Sequence, residues 1–163
     1  MNVTNPEMIS SVTSNWTGSR DINGRPLVSD EILERMRLVT TEEAWGTCKR
    51  NEYHFQFAGD WKNLHPERVI VGRAVTCRWV PRRPDVHDSI DKQGEEDGRV
   101  GFQNSWVIDE LEQNDLIVVD LFGKIFNGTF AGDNLATAIK ARSGTGMVID
   151  GGIRDTQRIL ELD

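Results

Sequence analysis

Long apolar runs are missing from this chain of 163 residues. The longest candidates, Leu116–Val119 and Met147–Ile149, are the size of buried strands and far short of the roughly 20 residues a membrane-spanning helix needs. The stretch Met1–Ser19 is polar and lacks an apolar h-region, so it reads as no secretory signal, and a cytoplasmic location is expected. Cysteine is scarce: Cys48 and Cys77 are the only two. They form no C-x-x-C pair and no framework of four or six, and are expected as buried free thiols rather than a disulfide or a zinc site. The sequons that begin at Asn2, Asn15 and Asn127 are read as chance without a signal peptide. Histidine is rare too. His54 and His65 lack ligand-like partners, and His87, between Asp85 and Asp88, is expected as a solvated loop residue. Gly123-Lys124 lacks the rest of a P-loop, and Gly144-x-Gly146 precedes a strand instead of following one, which excludes a dinucleotide fingerprint.

Positive charge is also in deficit. Lys and Arg number 19 against 26 Asp and Glu, for a net charge of -7. Residues 1–81 balance, with 10 of each sign, whereas residues 82–163 carry 9 basic and 16 acidic side chains. Such a field repels a phosphate backbone, which disfavours nucleic-acid binding. A carboxylate-rich half can hold a divalent cation, although solvated surface acids are the commoner reason for one. The 37% hydrophobic and 28% charged residues are a globular mix, enough for one domain of ordinary size with its own core. The five tryptophans form no regular stripe, so core or interface packing is expected of them, and Arg82 and Arg83 are assigned to the surface.

Periodicity divides the chain. Residues 1–27, rich in Ser, Thr, Asn and Gly, read as an arm or loop. Ser29 caps a short helix with Ile32, Leu33 and Met36 on one face, and Thr40 and Glu43 form a capping box for a second helix toward Arg50. A strand is expected at Val69–Trp79, stopped by Pro81 and Pro84, then an exposed acidic loop over 85–101. Beyond it come a helix (Trp106–Glu112), a strand (Leu116–Asp120), a short strand or hairpin (Lys124–Phe130), a helix (Asn134–Arg142), a strand (Gly146–Asp150), a tight turn at Gly151-Gly152 and a helix from Thr156. This alternation predicts an α/β domain with parallel pairing. The last helix has barely two turns before Asp163, so further structure is expected to complete the sheet.

The chemistry concentrates in Gly132–Asp155. Gly132-Asp133-Asn134-Leu135-Ala136 sits where a loop enters a helix, whose first-turn N–H groups and positive dipole end can hold a carboxylate or phosphate. Gly132 permits close approach of a ligand. The plainer reading makes Asp133 or Asn134 an N-cap. Gly144–Asp155 is a strand, a glycine turn and an Arg-Asp pair, and α/β sites gather at the carboxyl ends of strands. The plainer reading of Arg154 and Asp155 is a turn ion pair or a helix cap. Asp120 also ends a strand and is read as a strand-end cap. Together, Asp133 and Asp155 suit one hard cation, directly or through water, and Arg154 suits a keto acid.

The run Gly132–Ala136, followed by Gly-x-Gly-Met-Val-Ile-Asp-Gly-Gly-Ile-Arg-Asp, resembles the RraA-like family. That family holds the class II 4-hydroxy-4-methyl-2-oxoglutarate/4-carboxy-4-hydroxy-2-oxoadipate aldolases and the RraA regulators of ribonuclease E. Its aldolases carry an Asp, twenty residues, then Arg-Asp; here Asp133 is followed by residues 134–153 and then Arg154-Asp155. Val69–Thr76 and Asp115–Asp120 resemble further strands of the family. The similarity covers 28–163 and leaves 1–27 as an arm. It implies a three-layer β/β/α swivelling-domain-like sandwich, truncated here at its C-terminus, and a trimer or hexamer. It further implies Mg²⁺ or Mn²⁺ on Asp155, with Asp133 holding the metal's water shell. Arg154 then stabilises a pyruvyl enolate, and Gly132, Asp133 and the backbone amides near Asn134 and Leu135 bind the substrate. The activity so implied is retro-aldol cleavage of a 4-hydroxy-2-oxo acid, with oxaloacetate decarboxylation alongside. The alternative is a non-catalytic regulator that binds a protein partner.

Overall fold

The computed structural model describes residues 5–162; Asn2 and its sequon lie outside them. The amino-terminal segment is more ordered than an arm. Helix α1 (Pro6–Val12) forms because Asn5 Oδ1 accepts from the Glu7 and Met8 N–H groups and Pro6 stands at the first helical position. Helices α2 (Asp30–Met36) and α3 (Thr41–Arg50) begin at Ser29 and at the Thr40/Glu43 capping box, as the sequence predicts.

Three parallel strands carry the fold: β1 (Arg73–Arg78), β2 (Asp115–Thr129) and β3 (Met147–Gly152), in the order β1-β2-β3. Strand β1 is shorter than expected because Val69–Val71 have no partner; pairing starts at Arg73 opposite Asp115. Strand β2 is longer, and it absorbs the segment read as a separate strand or hairpin. It kinks at Phe122, Gly123 and Asn127, all with positive φ, where its register against β3 slips. Gly151 and Gly152 belong to β3 itself, not to a turn.

Between β1 and β2 lie α4 (Pro84–Glu96) and α5 (Gln103–Asp109); α6 (Asp133–Ser143) joins β2 to β3, and α7 (Thr156–Leu160) follows. The acidic loop expected over 85–101 is therefore mostly helix. Pro84 presets the first turn and Asp85 faces the positive helix end. Gly94 is the reason α4 docks: a Cβ there would lie 2.1 Å from the Trp106 ring. His87 sits in this helix, with Nε2 2.9 Å from Asp91 one turn on. Helix α5 starts three residues earlier than the periodicity placed it.

The sheet is one-sided. Val75, Ile117 and Met147 share one register row, and Cys77, Val119 and Ile149 another. These rows pack with Ile108 and Leu111 near α5, Ile139 of α6, and Phe130 and Ala131. Each fully buried aliphatic side chain, such as Ile117 or Ile139, contributes about 2 kcal/mol. Cys48 and Cys77 are free but only half-buried, so the thiols lie nearer the surface than expected. Trp106 is buried and Trp79 packs against Phe130, while Trp45 and Trp61 stay exposed. No helix among the described residues is long and apolar enough to cross a membrane.

The amino-terminal segment is pinned to the sheet by charge. Asp115, at the start of β2, is 1% exposed. It accepts from Arg25 Nη2 at 2.9 Å and from the Glu112 N–H at 2.9 Å. Arg25 also reaches Ala74 O on β1. Removing one partner of such a pair strands a buried charge, so Arg25→Ala is expected to cost about 3 kcal/mol in urea unfolding. An unchanged midpoint would show that the pair carries no stability.

Candidate functional site

The two halves of the motif, twenty residues apart in sequence, meet in space. Phe130 N–H donates to Gly152 O and Arg154 N–H to Ala131 O, both at 3.1 Å. These bonds carry the end of β3 alongside the chain that enters α6. They place Gly132, the N-cap of α6, directly under Arg154-Asp155. A Cβ on Gly132 would lie 2.3 Å from Asp155 Oδ2, 2.9 Å from Arg154 Nε and 3.1 Å from Arg154 Cγ. Only glycine leaves that space open.

Neither aspartate caps a helix through its side chain. Gly132 takes the N-cap place of α6, so Asp133 opens the helix, and its carboxylate is held by Arg158 Nη1 at 3.0 Å and by the Asn134 N–H at 2.9 Å. Asp155 stands at the N-cap of α7 but makes no side-chain capping bond. Its backbone is left-handed, φ 57 and ψ 34, a conformation that costs a non-glycine residue of order 1 kcal/mol or more and that concentrates at functional sites. Arg154 Nε approaches its Oδ2 at 3.4 Å, a loose ion pair. Of the expected carboxylate-binding amides, Asn134 N–H is occupied by Asp133. The Leu135 N–H remains without an acceptor among the described residues.

The Arg158 guanidinium beside Asp133, with the Asn134 N–H in support, holds the Asp133 carboxyl below the usual carboxylate range. Asp133 is therefore an anion throughout the neutral range. Asp133, next to Gly132 in the chain, and Asp155, whose Oδ2 lies over the space Gly132 leaves open, are two carboxylates with oxygen donors only. That set fits Mg²⁺ or Mn²⁺, which take one or two carboxylates and keep several waters. No group of three or more His, Cys, Asp or Glu able to hold a metal occurs among the described residues, so any site here is carboxylate-poor. Asp120 lies inside β2 and not at a strand end as expected: its carboxylate accepts from the Phe122 N–H at 2.8 Å and from Arg78 Nε at 2.6 Å, bracing the kink in β2.

A cleft of about 980 Å³ runs along the free edge of β3, from Trp61 and His65 at one end to Gly152, Ile153 and Thr156 at the other. It borders the motif without including Asp133, Arg154 or Asp155 in its lining. Arg158 escaped the sequence reading. Its signal was a second arginine four residues beyond Arg154, but nothing in the sequence tied it to Asp133, 25 residues away.

The family model described as RraA-like, Aldolase/RraA, matches residues 28–163. No curated protein matches the chain significantly. Among solved structures, Streptomyces coelicolor RraAS2, described as an unusual member of the RNase ES inhibitor RraA protein family, is similar at 26% identity and a TM-score of 0.56. The match covers 83% of this chain and 60% of that one. An uncharacterized protein from Pseudomonas syringae pv. tomato str. DC3000 is similar at 19% identity and a TM-score of 0.60, over 82% of this chain and 53% of that one. A third, titled novel cellulases from microbes associated with the gut ecosystem, is similar at 19% identity and a TM-score of 0.53, over 96% and 63%. The last two share the fold alone. The chain thus spans between 53% and 63% of the length of these structures.

Two outcomes follow from the geometry. Gly132→Ala pushes a methyl group into Asp155 and Arg154, and is expected to cost about 1–3 kcal/mol in denaturant unfolding, the usual range for overpacking; a neutral substitution would contradict the close approach. Because the Asp133 pKa is depressed in the folded state, its contribution to stability is present above the ordinary carboxylate range and is lost as pH falls through the depressed value. Carboxyl NMR titration should therefore show the Asp133 midpoint rise toward the ordinary range in Arg158→Gln. An unmoved midpoint would rule out Arg158 as the main cause.

Proposed function

The chain belongs to the RraA-like family, and from that premise we propose that it is a divalent-metal-dependent carbon–carbon lyase acting on a small 4-hydroxy-2-oxo acid. The observation that supports this reading most is the packing of Arg154 and Asp155 against Gly132, with the Asp155 carboxylate excused from capping duty. In this reading Asp155 is the protein ligand to Mg²⁺ or Mn²⁺, and Asp133 orients the water around it. When bound, the cation supplies positive charge beside the 2-oxo group.

The remaining work falls to the chain's own groups. The Leu135 N–H and the head of α6, open at Gly132, hold the substrate carboxylate, with Asp133 and Asn134 shaping that end. Arg154, largely exposed in the free protein, presents its guanidinium to the 2-oxo oxygen. The 4-hydroxyl gives its proton to a water oriented by Asp133. The C3–C4 bond breaks, its electron pair forms the pyruvate enolate, and C4 leaves as a carbonyl. Arg154 stabilises the enolate charge, and the same water returns the proton to C3, which gives pyruvate. Oxaloacetate reaches the same enolate by losing carbon dioxide. We propose assembly as a homotrimer or homohexamer, to be read by light scattering.

A regulatory reading has one observation in its favour, the 26% identity to a member of an RNase ES inhibitor family. A regulator that only docks on a protein partner has no use for a carboxylate held beside Arg154 by backbone strain. The separating experiment is pyruvate release from oxaloacetate and from 4-hydroxy-4-methyl-2-oxoglutarate, with Mg²⁺ and then with excess EDTA. Release is expected with Mg²⁺ and not with EDTA. Asp155→Asn should abolish it with the fold intact, and Arg154→Ala should lower turnover about 10²–10³-fold, the usual loss when an electrostatic stabiliser of a developing anion is removed. EDTA-insensitive release, or full activity in Asp155→Asn, would refute the metal site; no release from metal-supplied protein would favour the regulator.

A further inference from the structure

Strand β3 pairs with β2 along one edge, and the sheet ends there. The two edge strands differ. On β1, Arg25 donates to the Ala74 carbonyl. On β3, no backbone group of residues 147–150 bonds to a described residue outside its pairing with β2. Such an edge carries unpaired N–H and C=O groups, a template for a further strand. The core face is uncovered there as well. Ile117 and Val119 of β2 are 0% and 1% exposed, whereas Met147 and Ile149, their register partners on β3, are only half-buried. The cleft of about 980 Å³ lies along this edge, and Trp61, Val69 and Ile70 in its lining are themselves exposed. Ile70 closes it at the foot of β3, where its Cδ1 stands 3.0 Å from the place of a Cβ on Gly146.

Charge selects the occupant. The chain is acidic overall, at -7, yet the cleft is lined by the cations Arg37, Lys62, Arg68 and Lys140 against the anions Asp60 and Asp150. Lys62 and Lys140 make no hydrogen bond or ion pair with any described residue. We propose that the β3 edge is a docking site for an extended segment of a partner protein, added as a further strand, in which apolar residues alternate with Asp or Glu. Its backbone bonds to the unpaired groups of β3. Its apolar side chains continue the rows of Met147 and Ile149, and its carboxylates meet Lys62 and Lys140. A small anion uses the lysines but has no backbone for the strand edge. A second copy of this chain offers no edge strand of that pattern, because β1 carries Arg73 and Arg78 and β3 a single acid, Asp150. The proposal stands apart from the lyase reading, in which neither lysine takes part.

The test is fluorescence anisotropy of labelled six-residue peptides, the length of β3, titrated with the full chain. A peptide alternating Val and Glu should bind, and one alternating Val and Lys should not. N-methylation of every second amide of the Val/Glu peptide should abolish binding in one phase and spare it in the other, since only alternate amides of an added strand face β3. Lys62→Gln combined with Lys140→Gln should weaken binding about tenfold, with an unchanged circular dichroism spectrum. Loss in both methylation phases, or in neither, would overturn strand addition. Equal binding of the two charged peptides, or full binding by the double variant, would overturn the acidic partner. Self-association of the chain that the Val/Glu peptide displaces would give the edge to a second copy, and displacement of the peptide by decanoate would give the cleft to a small amphiphile; either overturns the proposal. So would no binding of the Val/Glu peptide at about 1 mM.

Discussion

The absence of a side chain at position 132 is the constraint on which the site depends. Gly132 caps α6, and a Cβ there would stand 2.3 Å from the Asp155 carboxylate. The pair of backbone bonds, Phe130 N–H to Gly152 O and Arg154 N–H to Ala131 O, draws the two segments together; glycine lets them close. The consequence is electrostatic. Two carboxylates and two guanidinium groups gather at the positive end of an 11-residue helix, where each anion is favoured by the helix dipole and each cation by its neighbour. The left-handed backbone of Asp155 is a cost held in place by this closure, and it turns the carboxylate away from capping α7.

That arrangement needs a rigid platform, which the parallel sheet supplies. Strand β2 lies between β1 and β3, and its buried residues Ile117 and Val119 lock both registers through one apolar face. Because β1 and β3 run parallel to β2, the end of β3 delivers Arg154 and Asp155 to the same side as the entry to α6, as open α/β sheets do with their ligand sites. The buried Arg25–Asp115 pair fixes the opposite end of β2 and ties the amino-terminal segment to it. The site and its anchor thus occupy opposite ends of one strand.

Much of this was legible in the sequence, and the failures have physical causes. Capping residues at Ser29 and Thr40/Glu43 marked two helix starts because side-chain caps are local chemistry. The runs at Leu116–Asp120 and Met147–Ile149 marked strands of the sheet, and the motif marked the two segments that meet at Gly132. Helix α4 was read as loop because its acidic, glycine-containing composition hides an apolar contact made by the lack of a side chain at Gly94. The length of β2 was missed because its kinks at Phe122, Gly123 and Asn127 break the alternation on which strand recognition rests. The Arg158–Asp133 ion pair was invisible because a contact across 25 residues is set by how α7 folds back on α6, not by spacing.

The account stands on Asp155 being held free for a cation at the open head of α6. Electron paramagnetic resonance of Mn²⁺ titrated into the wild-type protein and into Asp155→Asn measures that directly, without reference to turnover. One bound Mn²⁺ per chain in the wild type, displaced by Mg²⁺ and absent from a folded Asp155→Asn, is the predicted result. Equal Mn²⁺ binding in both proteins, or none in the wild type, would contradict it.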